Sequence, residues 1–241
     1  MIDPDIPPPP RSAFLAEGPR LAWALAELAK GWQGLKSAPM GDGRPLLLLP
    51  GLANGDASMT AMHRFLRGRG YRTSPWKLGI NLGVRSVGHD IERLMGRVEE
   101  VYTAAGREKV TLIGVSLGGI LARVVAHRRP DLVRAVITVS SPYAGPPTAT
   151  NVWKHFEWLT GQKIDDPEAM SMLAEAAMPL PMPATSIWSR SDGFVNGDIC
   201  HEEGENTRSI EVVSNHIGVH LRPQVLRAIA ETLAGGDAEK A

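Results

Sequence analysis

The chain has 241 residues, of which 43% are hydrophobic and 22% are charged, so it is long enough to bury one sizeable core. Its 26 basic and 26 acidic residues cancel, and this balance gives no electrostatic reason to bind nucleic acid or an anionic membrane. A single cysteine, Cys200, excludes an internal disulfide framework and favours a reducing, cytoplasmic setting.

The N-terminal segment, residues 1–40, combines a proline-rich lead with a predicted helix. Five of the first ten residues are proline, which is typical of extended chain. Between Ser12 and Lys36 apolar residues recur at alternating steps of four and three, on one face of a helix. These residues are Leu21, Leu25, Leu28, Trp32 and Leu35. We expect this face to dock on the main domain; the alternatives are a membrane-surface helix or a homodimer seam, so the protein is predicted to be a monomer or a homodimer.

This segment lacks the charged and apolar regions of a signal peptide, and we expect none. No apolar run in the chain approaches the roughly 20 residues that span a bilayer, so no transmembrane segment is expected. The prediction is a single cytoplasmic domain over residues 41–235, followed by a charged tail at 236–241.

The domain alternates predicted strands and helices. The strands are the apolar runs at 45–49, 71–76, 109–115, 133–139, 184–188 and 210–213. The helices between and after them cover 59–68, 87–106, 119–129 and 221–233. This alternation predicts an α/β fold with a mainly parallel central sheet of about six strands and helices on both faces. In such sheets ligands bind beyond the carboxyl ends of the strands.

Residues 142–182 connect two predicted strands and are too many for a structureless loop. Two helices are predicted there, Asn151–Thr160 ended by Gly161 and Pro167–Ala177 preceded by Asp166. We interpret them as a small helical cap whose apolar side chains pack on the body, form an adaptable wall for a hydrophobic group, or both. The candidate substrate contacts are Trp153, Phe156 and Trp158 in the cap, and Asn81 in the loop after the second strand.

The third strand runs into Gly114-Val115-Ser116-Leu117-Gly118, which has the G-x-S-x-G form of a nucleophile elbow. The glycines have a steric reason, because side chains two residues from a serine in a strained backbone conformation would collide. The helix that follows directs backbone N–H groups and its positive end at developing negative charge. Ser116 is therefore the candidate nucleophile. The alternative is a glycine-rich turn without chemistry.

A serine nucleophile needs a base and a group that orients the base. His216 follows the last strand and precedes the last helix, whereas His220 is the alternative four residues on. Asp192 follows the penultimate strand; its alternative reading is an ordinary turn aspartate. The order Ser116, Asp192, His216 matches the order expected for this architecture.

The same site needs donors for a developing oxyanion, and two backbone N–H groups are candidates. One belongs to Leu117, directly after the serine, and the other to Leu52, in the loop after the first strand. Asn54 is a less favoured side-chain donor. The scattered histidines and single cysteine have no metal-ligand spacing, so neither a metal nor another cofactor is expected.

With these motifs the chain resembles the α/β-hydrolase superfamily, and it looks most like compact bacterial lipases and esterases. The resemblance covers residues 44–234 and rests on the elbow at Ser116, Asp192 before a glycine, and His216 before the last helix. Many members carry His-Gly in the oxyanion loop, where this chain has Pro50-Gly51.

The resemblance implies an α/β-hydrolase fold and acyl transfer to water. Ser116 would attack the carbonyl of a small-molecule ester with an apolar acyl group, while His216 acts as base and then acid and Asp192 orients it. The alternatives are a thioesterase or acyltransferase that uses the same residues, and a non-catalytic binding protein with this fold.

Overall fold

A computed structural model describes residues 5–235, so residues 1–4 and the predicted tail at 236–241 lie outside the described residues. The six strands are β1 Pro45–Leu49, β2 Arg72–Pro75, β3 Val110–Val115, β4 Val133–Val139, β5 Ala184–Trp188 and β6 Thr207–Glu211. They form one sheet in the order β2-β1-β3-β4-β5-β6, and every neighbouring pair is parallel. The predicted α/β class and six-stranded sheet are confirmed.

The central strands are buried on both faces, as their continuous apolar runs require. In β1, Leu47 and Leu49 pack into one hydrophobic cluster, while Leu46 and Leu48 pack into another on the opposite face. This division follows from the period of two in a strand, where alternate side chains point to opposite faces.

The helices are α1 Arg11–Gly31, α2 Thr60–Gly68, α3 Val84–Val87, α4 Glu92–Ala104, α5 Leu117–Arg128, α6 Trp153–Thr160, α7 Pro167–Ala177 and α8 Pro223–Gly235. Side chains of α4 and α5 belong to one hydrophobic cluster, and those of α2 and α8 belong to the other. Helices therefore cover both faces of the sheet, as predicted. None of the helices in residues 5–235 is long and apolar enough to cross a membrane.

Two element boundaries differ from the sequence prediction. The last strand, predicted at 210–213, is β6 at Thr207–Glu211, because it is an edge strand whose pairing with β5 decides its extent; Val213 is 73% exposed. The helix predicted from Val87 is divided into α3 and α4. Gly88 and Ile91 have φ angles of 89° and 51°, and these left-handed residues interrupt the helix.

The predicted N-terminal helix ends at Gly31 instead of Lys36, and a short 3₁₀ turn at Gly34–Ser37 follows. Leu28, Trp32 and Leu35 pack on the core as expected. Leu21 and Leu25, in contrast, are 36% and 52% exposed. The predicted stripe therefore docks on the core through Leu28, Trp32 and Leu35, whereas Leu25 faces outward.

The insertion at 142–182 contains α6 and α7 close to their predicted bounds. The first ends at Gly161, which has a φ of 72° and suits a left-handed helix terminus. The second begins at Pro167, and the side chain of Asp166 accepts the N–H of Glu168 at 3.0 Å. Gly161 therefore ends α6 and Asp166 caps α7, as the sequence indicated.

Candidate active site

Ser116 lies between β3 and α5 with φ 52° and ψ −121°, a conformation that is rare and strained for a residue with a side chain. The flanking glycines allow it. A Cβ on Gly114 would lie 2.3 Å from the carbonyl oxygen of Gly118, and a Cβ on Gly118 would lie 2.4 Å from that of Leu49. Neither position has room for a side chain, which is the steric reason that the motif suggested.

The three predicted side chains meet in one hydrogen-bonded chain. Nε2 of His216 is 3.0 Å from Oγ of Ser116, and Nδ1 of His216 is 2.7 Å from Oδ2 of Asp192. With Nδ1 donating to Asp192, Nε2 is the acceptor that faces the serine hydroxyl. The other oxygen of Asp192, Oδ1, accepts the N–H groups of Phe194 and Val195, both at 2.9 Å. The arrangement can remove a proton from Ser116.

Two post-strand loops carry these groups: the acid loop, residues 189–195 after β5, and the base loop, residues 212–222 after β6. Ser189 ties them together, since its Oγ donates to the carbonyl of Ser214 at 2.8 Å and accepts the N–H of Ser214 at 3.0 Å. Oγ of Ser191 donates to the same carbonyl at 3.0 Å. The acid and the base are thus held by a direct loop-to-loop contact.

The two histidines of the base loop differ in their pKa values, because different charged groups lie beside them. Burial lowers the pKa of His216, but the charge and hydrogen bond of Asp192 and the charge of Glu17 outweigh it, and the pKa is raised above 6.5. Burial and the neighbouring His216 lower the pKa of His220 to about 4. His216 contacts Ser116, whereas His220 lines the adjacent cavity. The geometry favours His216 over the alternative base.

Glu17 of α1 belongs to this site and was missed in the sequence. It is 1% exposed, and its carboxylate accepts backbone N–H groups from both the acid loop and the base loop. One signal could have found it: Glu17 lies four residues before Leu21, so it continues the predicted apolar stripe as a charged member. A carboxylate on an apolar face needs partners, but the sequence does not say where they are.

A cavity of about 580 Å³ opens beside Ser116 and His216. Its walls come from the loop after β1, the cap helices α6 and α7, and the N-terminal helix α1, which contributes Phe14 and Leu21. The ring of Phe14 is 5.3 Å from that of Phe194, which stacks on His216 at a further 5.3 Å between centroids. The N-terminal helix therefore forms part of the site.

The two predicted oxyanion donors belong to residues at the same cavity. Leu52 and Leu117 both line it, and within residues 5–235 their backbone N–H groups donate to no protein acceptor. A Cβ on Gly51 would lie 3.3 Å from Cβ of Ser116, so the loop after β1 contacts the elbow directly. The side chain of Asn54 donates to the carbonyl of Leu52 at 2.9 Å, and this bond shapes the loop.

The four predicted substrate contacts divide into two pairs. Trp153 and Phe156 line the cavity. Trp158, which is 80% exposed, and Asn81, which is fully buried, are not among the residues that line it. Nδ2 of Asn81 donates to the carbonyl of Pro50 at 2.8 Å, which supports the loop after β1 from behind. Trp158 projects from the outer face of α6, and the local sequence does not distinguish that face from the inner one.

The family of proteins with the alpha/beta hydrolase fold has a sequence model that matches residues 45–172, more than half of the chain. The chain belongs to this family. The matched residues include the loop after β1, the elbow at Ser116 and most of the cap.

A triacylglycerol lipase from Pseudarthrobacter phenanthrenivorans is 44% identical over 54 residues, which are 22% of this chain and 17% of that protein. The match thus spans less than a fifth of the relative's length. The crystal structure of a monoacylglycerol lipase from Paleococcus ferrophilus aligns with a TM-score of 0.59 at 18% identity, over 83% of this chain and 97% of that one.

A mutant of an epoxide hydrolase from Bacillus megaterium aligns with a TM-score of 0.54 at 18% identity, over 81% of this chain and 95% of that one. Structural likeness at this level of identity concerns the fold. Because one fold carries several reactions, the reaction has to be argued from the side chains of the site.

Proposed function

We propose that the protein is a serine hydrolase that cleaves carboxylic esters with an apolar acyl group. The observation that carries this proposal is the hydrogen-bonded chain from Ser116 through His216 to Asp192 at the wall of a largely apolar cavity. The lipases among the similar proteins support the same class of reaction.

The proposed reaction proceeds through an acyl-enzyme. Nε2 of His216 takes the hydroxyl proton as Oγ of Ser116 attacks the ester carbonyl carbon. The tetrahedral intermediate collapses, the ester C–O bond breaks, and His216 gives its proton to the departing alkoxide. A water molecule, deprotonated by the same nitrogen, then attacks the acyl carbon; the bond to Oγ of Ser116 breaks, His216 returns the proton to Oγ, and the carboxylic acid is released. Asp192 keeps the imidazole in the required tautomer and stabilises it when it is positively charged.

The N–H groups of Leu52 and Leu117 are the proposed oxyanion hole. Both residues line the cavity beside Ser116, and within the described residues their N–H groups have no competing protein acceptor. Such donors stabilise the negative oxygen of the intermediate more than they stabilise the neutral carbonyl of the ester, and this difference accelerates the reaction.

The proposed substrate is a small-molecule ester whose acyl group occupies the cavity under the cap. Residues 142–182 act as this cap over the hydrolase body at 41–235, and Trp153 and Phe156 supply aromatic surface. A volume of about 580 Å³ lies in the range of small-molecule sites. The names of the lipase relatives support esters of glycerol as the first candidates.

The proposed setting is cytoplasmic. Cys200 is the single cysteine of the chain, so no internal disulfide can form, and this supports a reducing compartment. It is 2% exposed, and burial raises its pKa well above 9.0, so the thiol reacts slowly.

The proposed oligomeric state is a monomer or a homodimer through α1. The outward side of this helix exposes Leu15 and Trp23 at 75% and 61%, and sedimentation of the wild type beside Trp23→Ser distinguishes the two states.

The decisive experiment compares wild type with Ser116→Ala on p-nitrophenyl esters of increasing acyl length and on the matching acyl thioesters. We expect wild type to hydrolyse the esters and to be labelled by a fluorophosphonate, and Ser116→Ala to do neither while it remains folded. Ester turnover that survives in Ser116→Ala would refute the proposal. Faster turnover of the thioesters, or transfer to an added alcohol in preference to water, would favour the thioesterase or acyltransferase alternative.

A further inference from the structure

Glu17 is a buried acidic residue on α1, outside the segment that carries the nucleophile, the acid and the base. It is 1% exposed and faces the ends of the acid loop and the base loop. A carboxylate is costly to remove from water unless hydrogen bonds compensate for the loss. Its partners therefore indicate why this position is acidic.

The two oxygens of Glu17 receive donors from both loops. Oε1 accepts the N–H of Gly193 at 2.8 Å and the N–H of His216 at 3.0 Å. Oε2 accepts the N–H of Ile217 at 2.8 Å, and Nδ2 of Asn215 lies 3.4 Å from it. Gly193 follows Asp192 directly, and His216 is itself bonded through its backbone. One side chain thus fixes the main chain at the acid and at the base.

Close packing accompanies these bonds. A Cβ on Gly193 would lie 2.4 Å from the carbonyl oxygen of Ala13, so α1 lies directly on the acid loop. A Cβ on Gly218 would lie 3.0 Å from Cδ1 of Leu21, so the same helix lies on the base loop. Arg20, one turn along α1 from Glu17, donates to the carbonyl of Ser191 at 3.1 Å. The helix bridges the two loops and the carboxylate lies at the junction.

We propose that Glu17 is a positioning residue, whose carboxylate holds the acid loop and the base loop in the relative position that lets Asp192, His216 and Ser116 form their hydrogen-bonded chain. This inference rests on the proposed function. It assigns the N-terminal helix a part in the reaction, beyond the docking that its apolar residues predicted.

The chemistry of the side chain explains why a carboxylate suits this position. Its contacts are all with donors, and a carboxylate has only acceptors to offer them. A glutamine would retain one accepting oxygen and turn an NH₂ group towards N–H donors, which leaves buried donors without partners. The charged groups that face His216 are Asp192 on the acid loop and Glu17 on α1, with the neutral His220 on its own loop. Loss of the Glu17 charge therefore favours neutral His216.

The test is Glu17→Gln beside Glu100→Gln. The side chain of Glu100 is 69% exposed on α4 and pairs with Arg97 of the same helix at 2.8 Å, so its substitution removes one carboxylate without touching the acid loop or the base loop. For Glu17→Gln we expect kcat to fall roughly 10- to 100-fold with KM changed less than about threefold, as for a displaced reacting group. We also expect the acidic midpoint of kcat/KM to move to lower pH. Glu100→Gln should keep the wild-type kcat and midpoint.

A second variant covers the case in which Glu17→Gln does not fold. Glu17→Asp keeps the charge on a side chain one methylene shorter, so it should keep the acidic midpoint near that of wild type while kcat falls. A merely structural role would instead lower the activity of either variant only in proportion to the folded fraction, with an unchanged midpoint, and this result would overturn the proposal.

A measurement that needs no catalytic turnover distinguishes failure of this proposal from failure of the proposed function. In the Ser116→Ala background, NMR titration of the His216 ring reports its pKa without turnover. Glu17→Gln should lower that pKa and Glu100→Gln should leave it unchanged. If the wild type is inactive on every ester but Glu17→Gln lowers the pKa of His216, the hydrolase proposal fails and the role of Glu17 stands. If Glu17→Gln leaves the pKa of His216 unchanged, the role of Glu17 is contradicted.

Discussion

Asp192 uses its two oxygens differently: Oδ2 lies 2.7 Å from Nδ1 of His216, while Oδ1 accepts the N–H groups of Phe194 and Val195. This asymmetry determines what an amide would do at position 192. The two backbone donors would hold the oxygen of an asparagine, so its NH₂ group would face His216. The ring would then carry its proton on Nε2 and could not accept one from Ser116.

For Asp192→Asn we therefore expect kcat to fall by about 10⁴-fold with little change in melting temperature. Steady-state kinetics on a p-nitrophenyl ester and a thermal melt measure both. Asp198→Asn is the control, since Asp198 is an exposed aspartate six residues further along the chain and its loss should leave kcat unchanged. Wild-type kinetics in Asp192→Asn would mean that Asp192 does not set the tautomer.

The raised pKa of His216 predicts the pH at which kcat/KM is lost on the acidic side. The base must be neutral to accept the proton of Ser116, so kcat/KM should be full above the pKa of His216 and lost as the pH falls through it. Because that pKa is raised, the midpoint should lie above 6.5. A pH series of kcat/KM measures it, and a midpoint below 6.5 would contradict the dominance of the two carboxylates over burial.

His216 and His220 should respond differently to substitution. His216→Asn removes the base, and we expect at least about a 10³-fold loss of kcat, whereas His220→Asn should cost less than about tenfold. Ester kinetics of both variants test this difference. Equal losses would mean that His220 also acts on the substrate.

His220 should also affect stability in acid. Its pKa is about 4 when folded and 6.5 in an unperturbed histidine, so the unfolded chain binds more protons between these values. The contribution of His220 to the free energy of unfolding is therefore constant above pH 6.5 and declines as the pH falls to about 4. Denaturant titrations across this window should show a smaller decline for His220→Asn than for wild type.

The cap offers a matched pair of aromatic residues on α6. Phe156 lines the cavity, whereas Trp158 is 80% exposed on the outer side. Phe156→Ala should raise KM for long-chain esters by roughly 10-fold, which is the effect of losing about 1–3 kcal/mol of apolar contact. Trp158→Ala should leave KM unchanged at every chain length. An unaltered chain-length profile in Phe156→Ala would place the acyl group elsewhere.

The elbow glycines should be sensitive to a single methyl group. Gly118→Ala puts a Cβ within 2.4 Å of the carbonyl oxygen of Leu49, and we expect it to lower the free energy of unfolding by about 1–3 kcal/mol. Gly96 is an exposed residue inside α4, and a Cβ at this position would have no other atom within 4 Å. Gly96→Ala should therefore raise the free energy of unfolding by about 0.5–1 kcal/mol. Chemical denaturation measures both, and equal effects would contradict the close approach at Gly118.

Many strands and helix ends of this protein, and its candidate nucleophile, could be predicted from the sequence because they depend on short-range interactions. The apolar runs of β1 and β3, the stop at Gly161 and the cap of Asp166 each depend on residues within a few positions of one another. The steric demand at Gly114 and Gly118 is equally local. The fold class and the candidate nucleophile follow from such signals, and the chain order of the parallel strands then indicates the loops that carry Asp192 and His216.

The tertiary structure alone decided what depends on distant parts of the chain. Glu17 is bonded to residues 176 and 199 positions away, and no local pattern specifies such partners. Packing likewise turned Trp158 outward, buried Asn81 behind the loop after β1, and set the extent of the edge strand β6. The sequence by itself determined the elements and the reactive groups, because these are encoded by short-range sterics and periodicity. The arrangement that aligns the reactive groups was decided by long-range hydrogen bonds and close contacts, which exist only when the chain is folded.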